Sequence, residues 1–477
     1  MSFVITGEND SGKAVFRPQT LLNAALRTLN TIIFREVVSR AVTEHKIVHD
    51  SVHGGIRLEG VLLSLLEAPE LQRLHSIHQL GLAYLVYPGA NHTRFEHSLG
   101  AFSVSRRMCE SLQLDADEAR IVECAALLHD VGHLPYSHTL EFVLHDRFGI
   151  DHAEISRRLI RGEDTILSDS DKRILGRVKT IPEILEGAGV SPKEVASLLE
   201  GGSSDASAQR TLSRGKGQTH FNSKRYQSQL ISGPVDADQL DYLKRDSHYT
   251  GVAYGVIDLP RLFETIEIFN GDLVVDRSGL SAIEGMLVAR ALMFSSVYMH
   301  KTVRISELML AKAVERLEPG EVDMLHRMTD SSLLAHLDSK KGYFEEIATL
   351  IKYRRLFKRA FTIPASDVPD DGWDRVDRLG NVSRRRSAEE DIARRAGVMS
   401  GHVIIDVPSS ELLISEPRLS LTDVRILDRG KIKLLPKISS IAASLQSRKV
   451  HESALMVACP AKDKEKVAKA AARVLEF

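Results

Sequence analysis

Between Ala125 and His138 the chain reads AALLHDVGHLPYSH, an apolar helical run that stops at Gly132 and Pro135. His129, Asp130, His133 and His138 fall within ten residues of one another there. Unpaired ionisable groups are costly at a buried helix end. A divalent cation would account for them, because neutral imidazole and carboxylate are both good metal donors. The dipeptide His-Asp carries little weight alone, since it occurs at His49-Asp50, His129-Asp130 and His145-Asp146. Only the second closes an apolar run and is followed by further histidines.

Two other stretches offer partners. YPGANHTRFEH is a loop feeding a helix, with Arg94 and His97 one helical turn apart. VDADQLDYLKRD reads as a helix on which Asp238, Tyr242 and Asp246 share a face. Asp241 reads as part of a charged, solvated exterior. The expected metal set is therefore His97, His129, Asp130 and Asp238. Mixed nitrogen and oxygen donors suit Fe, Mn, Ni, Zn or Mg and do not choose among them. Such a cation polarises a phosphoryl oxygen and lowers the pKa of a water. Phosphate-ester cleavage also needs cations or hydrogen-bond donors on the non-bridging oxygens, for which Arg94, Arg290 and Tyr242 are candidates. His133, His138 and His152 have the unperturbed pKa range of a proton donor to the leaving oxygen.

The elements that must position these groups are mainly helical. Leu21–Val42 has helical apolar spacing, and the stretch from Lys46 to Leu58 reads as strand, glycine turn and strand. Helices follow at Gly60–Leu66, Pro69–Ile77, Glu96–Ser111 and Ala116–His129, then one through Phe148 and one capped by Asp151. Residues 161–200 read as short helices, and Gly201–Gln227 as a polar loop. Ser281–Leu310 reads as one long helix and Met324–Lys358 as largely helical. Strands are expected from His402, near Leu421–Leu427 and at Ala454–Cys459, with helices near Lys437–Leu445 and Lys462–Phe477. The fold class is thus mainly α, a helical core with a smaller C-terminal α/β lobe. The expected divisions are an N-terminal extension (1–44), a core domain (45–360), an irregular connector (361–401) and the lobe (402–477).

Composition agrees. At 477 residues, the chain exceeds what one core usually supports, and 43% hydrophobic content is ample for packing. Lys plus Arg total 63 against 64 acidic residues, so no overall positive field attracts nucleic acid or anionic membrane. Cys109, Cys124 and Cys459 are too few and scattered for a disulfide framework or thiolate zinc site. The beginning of the chain lacks secretory-signal character, and no stretch reads as a bilayer span. A cytoplasmic location is the expectation.

The set His97…His129-Asp130…Asp238 resembles the HD-domain phosphohydrolases. The runs HDSVHGGIRL, LQRLHSIHQLG, YPGANHTRFEHSLG, ALLHDVGHLPYSH, DADQLDYLKRD, VYMHK and YRRLFKR resemble one branch, the deoxynucleoside triphosphate triphosphohydrolases. The C-terminal LLPKISS is similar to that branch's small lobe. The resemblance covers residues 45–477 and lacks the sterile-alpha-motif domain of some members. It implies metal ligation by His97, His129, Asp130 and Asp238, and catalytic roles near the α-phosphate for His138 and His152. Glu141 stands where an aspartate is usual. Arg94, Arg290, Tyr242, Asp246 and Tyr298 would line triphosphate and sugar, with Gln79 and Leu80 reading the deoxyribose. The implied reaction converts a dNTP to deoxynucleoside and intact triphosphate. Lys46, Arg261, His300, Lys301, Arg354 and Lys358 match basic positions of a nucleotide-effector site in homotetrameric relatives. Departures are Gln239 for a phosphate-binding lysine, Phe294 for a histidine, His75 for a guanine-reading arginine, Glu67 for an aspartate and Ala282 for an asparagine. The first two imply weaker triphosphate affinity. The competing readings are an HD phosphohydrolase acting on monophosphates, cyclic dinucleotides or an alarmone, and a nucleotide sensor with a vestigial site.

Overall fold

The computed structural model describes residues 44–200, 225–369, 372–407, 424–447 and 453–477. The expected helix at Leu21–Val42 and most of the polar loop from Gly201 lie outside them, although Arg225–Ile231 is helical.

The chain enters the core through an antiparallel hairpin of β1 (His45–Asp50) and β2 (Gly54–Glu59). The helix Arg94–Ser111 starts at a capping box, in which Thr93 and Glu96 satisfy each other's backbone N–H groups. This sets His97 in the first turn. The helix Ala116–Leu128 is capped by Asp115 and buries Ala125, Ala126, Leu127 and Leu128 together. Such an apolar end belongs inside a core. Helix Ala237–Thr250, capped by Asp236, crosses Arg94–Ser111 where the latter has Gly100. A Cβ on Gly100 would lie 1.9 Å from Asp241 Oδ1, so only glycine permits this approach.

Four strands form a second sheet: β3 (Ile266–Phe269), β4 (Asp272–Asp276), β7 (Arg425–Asp428) and β8 (Lys431–Leu434), in the order β3-β4-β7-β8. The third sheet comprises β5 (Lys358–Pro364), β6 (Ile404–Asp406) and β9 (Ser453–Cys459), in the order β5-β9-β6. It packs with helices Trp373–Gly380, Val382–Ala396 and Lys464–Leu475 around a separate apolar cluster that includes Ile363, Ile392, Ile405, Val457 and Val467.

Four expectations need correction. Residues 361–401 are not an irregular connector, because they supply most of a strand and two helices to the lobe, whose core begins near Ile363. The lobe is not confined to 402–477 either, since β7 returns to pair with β4 of the core domain. Ser281–Leu310 is interrupted: Leu280–Met293 passes into a π-helical turn at Phe294–Tyr298, and His300 caps a new helix, Lys301–Val314. No proline or glycine signals that break. Finally, Arg277–Tyr298 is long and apolar enough to cross a membrane by composition, with a mean hydropathy of 1.4. Ile283, Met286, Leu287 and Met293 of this stretch are packed into the protein core.

Candidate metal and phosphohydrolase centre

Three helix ends place the four expected metal donors together. His97 Nε2 lies 3.2 Å from His129 Nε2, 3.0 Å from Asp238 Oδ1 and 3.5 Å from Asp130 Oδ2. His129 Nε2 is 3.3 Å from Asp130 Oδ1 and 3.7 Å from Asp238 Oδ1. His129 Nδ1 donates to the Ala126 carbonyl at 2.8 Å, which commits the ring proton to that nitrogen. His97 Nδ1 likewise faces the Asp241 carboxylate at 2.8 Å. The two Nε2 atoms therefore face each other, an arrangement that positive charge between them relieves, whether a metal ion or a proton on His97. Nitrogen ligands about 2.0–2.1 Å from one metal, at near right angles, stand roughly 3 Å apart. The donor set fits a divalent ion. Burial alone would push the His97 imidazole down, yet Asp238, Asp241 and Asp130 raise its pKa to about 10. The surroundings select positive charge.

Asp241 corrects the expectation of an exposed charge. It is fully buried and accepts from His53 Nε2 at 2.6 Å, Arg245 Nε at 2.8 Å and His97 Nδ1. Arg245 also reaches Asp50 on the hairpin at 2.7 Å. Burial opposes its ionisation, but Arg245, His53 and His97 hold the Asp241 carboxyl well below the usual range. Charged partners behind a metal-binding imidazole fix its tautomer and orientation. Asp50 and His53 come from the run HDSVH, the one part of this network that the sequence singles out.

A second cluster adjoins the first. His133 Nε2 lies 3.2 Å from Asp130 Oδ1, and its ring stacks on His152 with centroids 3.9 Å apart. Glu141 contacts His152 and lies 3.3 Å from His138 Nδ1. Gly132 makes this possible: a Cβ there would sit 2.4 Å from the Ser156 backbone nitrogen. Ser156 Oγ donates to the His129 carbonyl at 2.7 Å and accepts from Gly132 N at 2.9 Å, docking the helix His152–Arg161 on the loop. Burial opposes the charge on His152, but Glu141 raises its pKa to about 9. Glu141 is held well below its range despite burial, by His152 and His138. His133 is pushed well down by burial, Arg94 and His152. Neighbouring groups with opposed pKa shifts are what acid–base chemistry requires.

The expected substrate residues surround these clusters with unpartnered polar atoms. Arg94 Nη1 holds Asp130 Oδ2 at 2.5 Å and Nε donates to Ser137 Oγ at 2.8 Å, while buried Nη2 has no hydrogen-bond partner. Gln79 Oε1 and Tyr242 Oη are likewise buried without one. Tyr298 Oη donates to Asp246 Oδ2 at 2.7 Å, and His92 Nε2 faces Asp246 Oδ1 at 2.8 Å. Arg290 is buried, and Leu80 packs at the edge of the core. Gln239 donates to the Gly233 carbonyl and to Asp236, so its amide is committed within the protein.

Among the effector positions, His300 packs edge-on against Tyr87 and Arg354 donates to the Leu85 carbonyl at 2.6 Å. Lys301 and Lys358 are exposed. Lys46 is paired with Glu67, and Arg261 donates to the Ser278 carbonyl. His75 stacks on Phe95, whereas Ala282 and Phe294 are core residues.

Residues 94–181 match the HD domain and residues 257–477 the HD-associated region. The chain is 33% identical over 411 residues to the uncharacterized protein MJ1154 of Methanocaldococcus jannaschii, covering 84% of this chain and 76% of that one. It is 26% identical over 361 residues to the human deoxynucleoside triphosphate triphosphohydrolase SAMHD1, covering 68% of this chain but only 56% of that protein. A crystal structure of a phosphohydrolase (BT4208) from Bacteroides thetaiotaomicron superposes with a TM-score of 0.60 at 25% identity, covering 87% of this chain and 99% of that one. A hypothetical protein from Aquifex aeolicus gives a TM-score of 0.63 at 27% identity, covering 90% of this chain and 100% of that one. HD domains bind divalent metals, and the donor cluster here can hold one. With that cluster, the two matched regions and the helical architecture in agreement, the chain belongs to the HD-domain phosphohydrolases that carry an HD-associated region.

Proposed function

We propose that this protein is a dNTP triphosphohydrolase, releasing deoxynucleoside and intact triphosphate. The observation that carries the reading is the adjacency of two clusters: a cation site at His97, His129 and Asp238 with Asp130 at its edge, and the acid–base group His133, His138, Glu141 and His152. Similarity to the human triphosphohydrolase supports the substrate class. A bound divalent ion would supply Lewis acidity toward a phosphoryl oxygen and a more acidic water.

The chain's own groups do the rest. Arg94 Nη2 is oriented by the two bonds of its sister nitrogens and is free to donate to a non-bridging phosphate oxygen. Water forms a bond to the α-phosphorus as the bond to O5′ breaks, and the departing oxygen takes a proton. His138 is the proposed donor, since its side chain is 45% exposed while Glu141 steadies its Nδ1. Glu141 positions His152 and His138. Gln79, Leu80 and Tyr298 face the sugar, and Tyr242, Asp246 and Arg290 complete the pocket. A nucleotide effector at His300, Lys301 and Arg354, in a homo-oligomer, belongs to the same proposal.

The test is incubation of purified protein with Mn²⁺ and each dNTP, followed by ion-exchange separation of the products. Equimolar deoxynucleoside and triphosphate are expected. Monophosphate with pyrophosphate, or turnover only of cyclic dinucleotides or monophosphates, would overturn the proposal.

A further inference from the structure

We propose that Asp330 is a positioning residue that fixes the spacing between the segment His78–Leu80 and the loop Tyr136–His138, and thereby contributes to sugar selectivity; this rests on the dNTP reading above. Asp330 is 5% exposed and lies 252 residues from His78 and 194 from Tyr136. Its Oδ2 accepts from the His78 backbone N–H at 2.9 Å and from His78 Nδ1 at 2.7 Å. Its Oδ1 accepts from the Tyr136 N–H at 2.6 Å. Asp330 opens the helix Asp330–Ser339, but that helix does not need it as a cap, because Thr329 forms the capping box with Ser332. Both oxygens are turned toward other segments of the chain.

What they hold is strained. Tyr136 and Ser137 are consecutive left-handed residues, with φ of 58° and 56°. For residues with a Cβ such a pair is disfavoured and persists only where the surroundings impose it. Asp330 anchors the first through its amide. The second is fixed by its side chain: Ser137 Oγ donates to the His78 carbonyl at 2.6 Å and accepts from Arg94 Nε at 2.8 Å. Arg94 in turn holds Asp130. A continuous polar chain thus runs from Asp330 through His78, Ser137 and Arg94 to the cation site. The buried Arg73 ties the same parts together, donating to the carbonyls of Met328, His133 and Val131 at 2.8, 2.7 and 3.1 Å. The stretch 328–330 therefore braces the catalytic loop against the two residues that precede and include Gln79. Any shift of His78 moves Gln79 and Leu80 relative to His138.

The experiment uses the full chain, and Asp330→Asn as the conservative variant. Asn keeps one acceptor for Tyr136 but presents an amide to His78, so the His78 arm is lost. The ratio of kcat/KM for a dNTP to that for the matching ribonucleotide is expected to fall about tenfold, the effect of one lost hydrogen bond to a charged group. Metal content should not change. Equal losses for both nucleotides, leaving the ratio intact, would overturn the proposal. Hydrogen exchange provides a readout independent of activity. The His78 amide should be protected in the native protein and exchange about tenfold or more faster in Asp330→Asn, and the Tyr136 amide should follow in Asp330→Ala. Unchanged protection at both overturns the positioning claim, even if the wild-type protein turns over no dNTP and the substrate reading itself fails.

Discussion

Two regions of this chain bury charge and treat it in opposite ways. Where the lobe meets the core, Lys312 Nζ lies 2.8 Å from Glu389 and 3.1 Å from Glu315. Arg386 reaches Glu315 and Asp146, and Glu389 also accepts from the Ile405 N–H. Lys312, Arg386, Glu315 and Glu389 each have an opposite partner, and of their side-chain polar atoms only one Glu315 oxygen is buried without a hydrogen bond. Around His97 and His133 the polar inventory does not close. Nδ1 of His133, Nη2 of Arg94, Oε1 of Gln79 and Oη of Tyr242 are buried without a hydrogen-bond partner. Because an unsatisfied buried polar group is costly, such a concentration is tolerated only where something outside the chain completes it. The first region is joinery, and the second is a receptor.

The largest effect expected from this contrast is in catalysis. His129→Ala should abolish metal binding and lower turnover by well over about a hundredfold, more than loss of an outer-shell partner does. Metal analysis and steady-state rates check this, and wild-type turnover would break the distinction. The mirror experiment is Lys312→Met, which leaves Glu389 and Glu315 uncompensated. Breaking a buried pair from one side costs about 3–5 kcal/mol, so urea unfolding should show a large loss while metal content and turnover of the folded fraction persist.

Asp241→Asn tests the boundary between the two kinds of site. It keeps an acceptor for His97 but loses the charge facing His53 and Arg245, so metal affinity should fall by about 10–100-fold without loss of the fold. Competition with a fluorescent chelator measures it.

Much of this organisation was legible in the residues. The spacing of His129, Asp130, His133 and His138 and the helix carrying Asp238 pointed to one centre, and the structure brings them together. Asp241 was not legible. Its neighbours Asp238, Lys244 and Arg245 make the helix look solvated, and a charge pattern does not reveal that the facing helix presents Gly100 and a second set of ionic groups. Asp330 and Arg73 were missed because their partners are far away in the chain and are mostly backbone groups, which leave no mark on side-chain spacing. Residues 361–401 looked irregular because Pro364, Pro369 and the run Arg384–Arg386 outweighed short apolar intervals. Tertiary burial of Val376 and Ile392 makes those intervals helical.

The smallest expected effect concerns pH at the lobe junction. Glu307, beside Arg304 and Asp406, is raised from 4.5 to about 7 by burial, with Arg304 opposing and Asp406 adding. The folded state therefore favours its protonated form. The resulting stability is present in full below about pH 4.5 and is lost as pH rises through about 7. Over that window stability in urea titrations should decline as pH rises, and Glu307→Gln should flatten the decline. An unchanged pH slope would show that Glu307 is already satisfied as an anion.

The most direct test of the central claim is anomalous diffraction from crystals grown with Mn²⁺, collected at the manganese edge. A single dominant peak bonded to His97, His129, Asp130 and Asp238 is predicted. A peak elsewhere with none among those four side chains would contradict the account.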